Sequence, residues 1–231
     1  MKTANTLIIY ITIAMVIVGC KKKEESGGVL ENKYNTEITI NMKSDNELKT
    51  TWIELKNKIK NNPDIETNFM QTYQQLFRKD VVDSNQADIQ RLYNLIREPN
   101  SSPSSARNAL EFFIKADANT IIRESLLNPQ RGIPGWELVI ISTKAIGSNK
   151  DKESLPYLIY TLQKNNYPQE GSEDATIHQT MKRDLIQSVQ KITNLNIDIS
   201  KIDVDNPDEM EKILSMARDW AKKNSIKLLG E

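Results

Sequence analysis

Three dipeptides, Asn62-Pro63, Ser102-Pro103 and Asn206-Pro207, set the starting points of helices in this chain. In each, a side chain able to accept from free backbone N–H groups precedes a proline whose fixed φ suits the first helical position. Each is followed by apolar residues at helical spacing: Ile65, Phe69, Tyr73, Leu76 and Phe77; Ala106, Leu110, Phe113 and Ile114; Met210, Ile213, Leu214, Ala217 and Trp220. The same period recurs elsewhere. Leu48, Trp52, Leu55 and Ile59 follow Ser44 or Asp45 as a cap. Ile89, Leu92, Tyr93 and Ile96 follow Asp83 or Ser84, with Pro99 as the stop. A short helix is expected over Asn119–Leu127. Further stripes are Trp136, Leu138, Val139, Ile141 and Ala145; Leu155, Leu158, Ile159 and Leu162 behind Asp151; and Met181, Leu185, Val189 and Ile192.

Only Thr36–Met42 alternates as a strand would, and no second strand pattern exists to pair with it. Eight glycines and eight prolines are few for an all-β chain full of tight turns. The expectation is an all-α domain over residues 44–226, built either as stacked helical hairpins or as a compact irregular bundle.

The N-terminal segment carries a different message. Leu7–Val18 is almost continuously apolar, the length of a signal-peptide core and short of the roughly 20 residues that span a membrane. Ile17-Val18-Gly19-Cys20 follows and resembles the lipobox of bacterial lipoproteins. The resemblance implies cleavage between Gly19 and Cys20, removal of residues 1–19 and acylation of Cys20. Residues 20–43 then form a tether. Lysines 21–23 argue for the alternative of an uncleaved anchor, because basic residues favour the cytoplasmic side. Lys23-Glu24-Glu25 resembles the lysine-plus-two-acids export signal of surface lipoproteins. The expected location is therefore the bacterial outer membrane, on the cell surface in preference to the periplasmic face. Two or more acyl chains anchor stably, at about 0.8 kcal/mol per buried methylene.

Two further stretches carry a second resemblance. Residues 151–166, DKESLPYLIYTLQKNN, resemble the first helix of a HEAT-type repeat, with Leu155-Pro156 and Leu158-Ile159 in the matching places. Residues 180–198, TMKRDLIQSVQKITNLNID, are similar to its second helix, and ARDWAKKN at 217–224 resembles a terminal capping helix. Residues 105–116, paired with Trp136–Ile146, resemble an earlier, degenerate copy. The likeness is best over 150–224 and implies a short α/α array in which each hairpin stacks on its neighbours.

Little in the sequence points to catalysis. The single histidine, His178, is expected at the surface near a helix start, and no cysteine beyond Cys20 is present to complete a zinc site. Lipidation would remove Cys20 as a nucleophile. Ser101–Ser105 lacks a strand-turn-helix setting, and no glycine-rich phosphate loop occurs. Asp203–Glu209 lacks the glycine and terminal glutamate of a calcium loop, so its acids are read as complementing a helix dipole. Trp52, Trp136 and Trp220 lie on apolar stripes and are expected in the core. The loop 165–174 interrupts a hairpin, and Tyr157, Tyr160 and Tyr167 beside it are the candidate partner-binding residues.

Lys+Arg and Asp+Glu both number 31, leaving no net field for nucleic acid. The function expected is a non-enzymatic, lipid-anchored envelope protein that binds another protein, without cofactor or metal. Two alternatives are an immunity-type lipoprotein that neutralises an envelope-acting toxin, and an accessory sugar-binding or enzymatic factor.

Overall fold

The structure, a computed structural model, describes residues 45–80, 84–98, 100–127, 134–163 and 175–230. The expected leader, Cys20, the tether and the segment 36–42 lie outside the described residues. Among the described residues there are nine α-helices and no strand. They are α1 Asp45–Lys60, α2 Pro63–Phe77, α3 Gln86–Arg97, α4 Pro103–Lys115, α5 Asn119–Leu126, α6 Pro134–Asn149, α7 Leu155–Gln163, α8 Ala175–Thr193 and α9 Pro207–Lys223. Short 3₁₀ turns at Lys152–Ser154 and Ile199–Lys201 lie on either side of the α7–α8 pair.

The three proline starts form as the sequence requires. Asn62 Oδ1 accepts from the N–H groups of Asp64 and Ile65 at 3.1 and 3.3 Å. Ser102 Oγ accepts from Ser105 N at 3.2 Å. Asn206 Oδ1 accepts from Asp208 N and Glu209 N at 2.9 and 3.4 Å. The cap of α3 is displaced from the expected Asp83 or Ser84: Asn85 accepts from Asp88 N at 3.0 Å and donates back to the Asp88 carboxylate at 2.6 Å. Ser84 is buried instead.

Odd-numbered helices pack in chain order, α1 on α3, α3 on α5, α5 on α7, α7 on α9. Even-numbered helices do the same, α2 on α4, α4 on α6, α6 on α8. Across the layers α1 pairs with α2, α3 with α4, α5 with α6, and α7 with α8. This is a two-layer α/α array with nearest-neighbour contacts, and the alternative of an irregular bundle is set aside.

The core follows the same order. One cluster joins Trp52, Ile59, Phe69, Tyr73, Leu92, Leu110 and Phe113 in α1–α4. A second joins Leu155, Leu158, Met181, Leu185, Val189, Ile213 and Ala217 in α7–α9. The middle helices α5 and α6 serve both. Ile121 packs into the first cluster and the adjacent Ile122 into the second; Leu138 and Val139 divide the same way.

Small and hydroxyl residues let α6 and α8 come close. Ser188 Oγ on α8 donates to the Thr143 carbonyl of α6 at 2.9 Å. A methyl placed on Gly147 of α6 would lie 2.9 Å from Ser188 Cβ and 3.1 Å from its Cα. Each even helix ends in a residue with left-handed backbone: Arg78 after α2, Asp117 after α4, Lys150 after α6 and Asn194 after α8. Such positions favour glycine, yet none of the four is one. After α4 and α6 the N–H of the residue that follows the left-handed one returns to a carbonyl in the last turn: Ala118 N to Phe113 O at 2.9 Å, and Asp151 N to Ile146 O at 3.3 Å.

Candidate functional site

The odd layer carries a cleft where α5, the start of α7 and the segment after α9 meet. It holds about 500 Å³ and is lined by Arg123, Lys152, Glu153, Pro156 and Tyr157 on one side and by 224–227 and Leu229 on the other. A turn at the end of α9 creates its far wall. Ser225 takes left-handed backbone at φ 56°, and Ile226 N donates to Ala221 O at 2.9 Å. That reverses the chain and lays Ile226 and Leu228 onto the C-terminal core. A second cleft of about 440 Å³ lies on the other side of the same segment, between Arg218, Asp219, Lys222, Lys227 and Leu228.

Arg123 fixes the inner wall. Its guanidinium makes a forked pair with the Asp151 carboxylate, Nη2 to Oδ1 at 2.9 Å and Nε to Oδ2 at 3.0 Å. Nε also donates to Ser154 Oγ at 2.9 Å, and Nη1 reaches Glu153 at 2.9 Å. The Ser154 hydroxyl in turn donates to the Asp151 carboxylate. Arg123 and Asp151 side chains are only 12% and 11% exposed, whereas Glu153 is 82% exposed. Asp151 was expected to cap α7; it precedes the 3₁₀ turn but makes no side-chain cap bond, because its carboxylate faces Arg123.

The rim has a different electrostatic character. Arg123 is matched by Asp151 and Glu153, and Arg218 by Glu211 at 2.7 Å. Lys152, Lys222 and Lys227 are exposed and form no ion pair among the described residues. Lys222 lies in the last turn of α9, where a cation complements the helix dipole. Lys152 and Lys227 have no such role. The cleft thus offers an apolar floor of Pro156, Tyr157, Ile226 and Leu229 beneath an excess of positive charge.

Of the expected partner-binding tyrosines, Tyr157 is half-buried on the cleft and Tyr167 lies outside the described residues. Tyr160 is corrected: it is 4% exposed, because α7 is packed by α5, α8 and α9 and buries nearly its whole circumference. His178 is also corrected, being 8% exposed in the first turns of α8 rather than at the surface. Trp52 is buried in the first cluster, while Trp136 and Trp220 are half-buried against the second.

The acid run ending at Glu209 is occupied by structural work. Asp205 pairs with Lys182 at 2.9 Å and accepts from Gln179 at 2.7 Å; those two hydrogen bonds hold its carboxyl below the usual carboxylate range. Glu209 accepts from Asp203 N at 2.8 Å. Burial raises the Tyr93 and Tyr73 hydroxyls above their ordinary range, and each donates to a carboxylate, Glu124 and Asp88 respectively. Both tie neighbouring helices together. No group of three or more His, Cys, Asp or Glu able to hold a metal occurs among the described residues, and no described helix is long and apolar enough to cross a membrane.

Comparison with protein families, with characterised proteins and with solved structures found no match.

Proposed function

We propose that the chain is a lipid-anchored, non-enzymatic protein-binding array of the bacterial envelope. The observation that carries the binding part is the cleft on the odd layer. It is a concavity with an apolar floor and a charged rim, formed by α5, the start of α7 and the segment after α9 and braced by the Arg123–Asp151 pair. Stacked hairpins expose long continuous faces, the kind of surface on which proteins of this architecture bind partners. The anchoring part rests on Ile17-Val18-Gly19-Cys20, and the preference for the cell surface on Lys23-Glu24-Glu25.

The same lysine-rimmed cleft also suits the immunity-type alternative, in which the partner is an envelope-acting toxin. The sugar-binding or enzymatic alternative gains nothing from Trp52, which is buried in the other core cluster, and no tryptophan lines the first cleft.

Membrane fractionation tests the anchor. Wild-type chain is expected in the membrane fraction and Cys20→Ala in the soluble fraction; unchanged partitioning would remove the lipoprotein reading. In-cell crosslinking of the wild-type chain should yield a discrete heteromeric adduct, and loss of every such adduct would remove the binding reading.

A further inference from the structure

We infer that the cleft between α7 and the segment 224–229 takes an extended, acidic segment of a partner protein that also carries apolar side chains. This rests on the protein-binding reading above and specifies the face and the ligand chemistry. Charge complementarity is the argument. Lys152 and Lys227 come from opposite walls, are exposed, and form no ion pair among the described residues. Lys222 continues the positive rim into the adjoining cleft, where Asp219 is the lining acid. Glu153, the acid of the first cleft, is already paired with Arg123 at 2.9 Å. With Asp151 counted, Arg123, Lys152 and Lys227 face two carboxylates, and the remaining positive charge, carried by the two unpaired lysines, favours a ligand of negative charge.

The floor adds the second requirement. Tyr157, Ile226 and Leu229 are half-buried, so each retains apolar surface that a ligand side chain can cover. Asn224 lines the same wall, and its side-chain NH₂ already donates to Trp220 O at 2.8 Å. A wholly polar anion would leave the floor uncovered, and an apolar ligand would leave the lysines without partners.

The test uses the full chain in detergent and two fluorescein-labelled peptides that alternate charged residues with leucine and tyrosine, one with glutamate and one with lysine. Fluorescence anisotropy is expected to show binding of the glutamate peptide at least 10-fold tighter than the lysine peptide. Binding should weaken as salt rises from 50 to 500 mM, because exposed charges are screened over about 10 Å at 0.1 M. Lys152→Glu/Lys227→Glu should weaken it at least 10-fold with an unchanged melting temperature, whereas Lys191→Glu on the even layer should leave it unchanged. Equal binding of both peptides, no binding of either, or equal losses in the two variants would overturn the inference. So would binding to phosphatidylglycerol vesicles abolished by the double substitution while the glutamate peptide goes unbound, which would assign the rim to a lipid surface. If in-cell adducts form but the double substitution leaves them intact, the cleft inference falls while the protein-binding reading stands.

Discussion

Replacing either member of the Arg123–Asp151 pair should destabilise the array, and the two replacements should do so unequally. Arg123→Ala leaves the Asp151 carboxylate, 11% exposed, with a hydroxyl partner in Ser154 and no cation. Removing one partner of a buried ion pair costs about 3–5 kcal/mol. Asp151→Ala leaves Arg123 with Glu153 at 2.9 Å, and Glu153 is 82% exposed. Its guanidinium therefore keeps a solvated partner, and the loss reduces to charge-assisted hydrogen bonds worth about 1.5–3 kcal/mol. The double substitution should fall short of the sum by about 1.5–3 kcal/mol, since the pair is then lost once rather than twice.

Urea unfolding followed separately from each half is the assay. Trp52 reports the first core cluster, and Trp136 with Trp220 report the second, once the other tryptophans are changed to phenylalanine. In a nearest-neighbour array, weakening α5 against α7 should let α7–α9 unfold ahead of α1–α4. The reasoning is refuted if Asp151→Ala costs as much as Arg123→Ala, or if both cost under about 1 kcal/mol, the scale of an exposed pair.

Two other substitutions probe the packing and the turns. Gly147→Ala places a methyl 2.9 Å from Ser188 Cβ, so overpacking of about 1–3 kcal/mol should outweigh the roughly 1 kcal/mol gained in helix propensity. Adding Ser188→Gly should recover part of that loss in a thermal-unfolding double-mutant cycle, and strict additivity would contradict the close approach. Lys150→Gly should raise stability by about 0.5–1 kcal/mol in the same assay, because Lys150 adopts φ 51° at the end of α6; a fall in stability would contradict that turn.

These positions also explain what the sequence disclosed and what it hid. Helix starts were legible where a capping side chain and a proline coincide, as at Asn62, Ser102 and Asn206, because both act locally. The start of α3 was offset because Asp83, Ser84 and Asn85 are all capping types in a row, and tertiary burial of Ser84 decided among them. The helices within 150–224 were legible as apolar stripes, but no fixed period was. The turns that close α2, α4, α6 and α8 use arginine, aspartate, lysine and asparagine at unequal spacings, so no glycine marks them.

Tyr160 is a binding candidate in the sequence only because it stands near the polar loop 165–174. Its burial follows from three helices meeting α7, which no local pattern records. The cleft was the least legible feature. Arg123, Lys152 and Lys227 come from three separate segments, and the wall exists only because Ser225 reverses the chain after α9. A hint was available in Asp151, whose acid was read as a helix cap and is in fact the counter-charge of Arg123.

Site-specific photocrosslinking in intact cells tests the central claim most directly. A photoreactive residue at Lys152 or Lys227, on the cleft, is compared with one at Lys191 on the exposed side of α8. The account predicts one discrete protein adduct from positions 152 and 227, reduced when the untouched lysine of that pair is changed to glutamate, and no such adduct from position 191. Adducts from position 191 alone, or adducts at 152 and 227 that ignore the charge change, would contradict it.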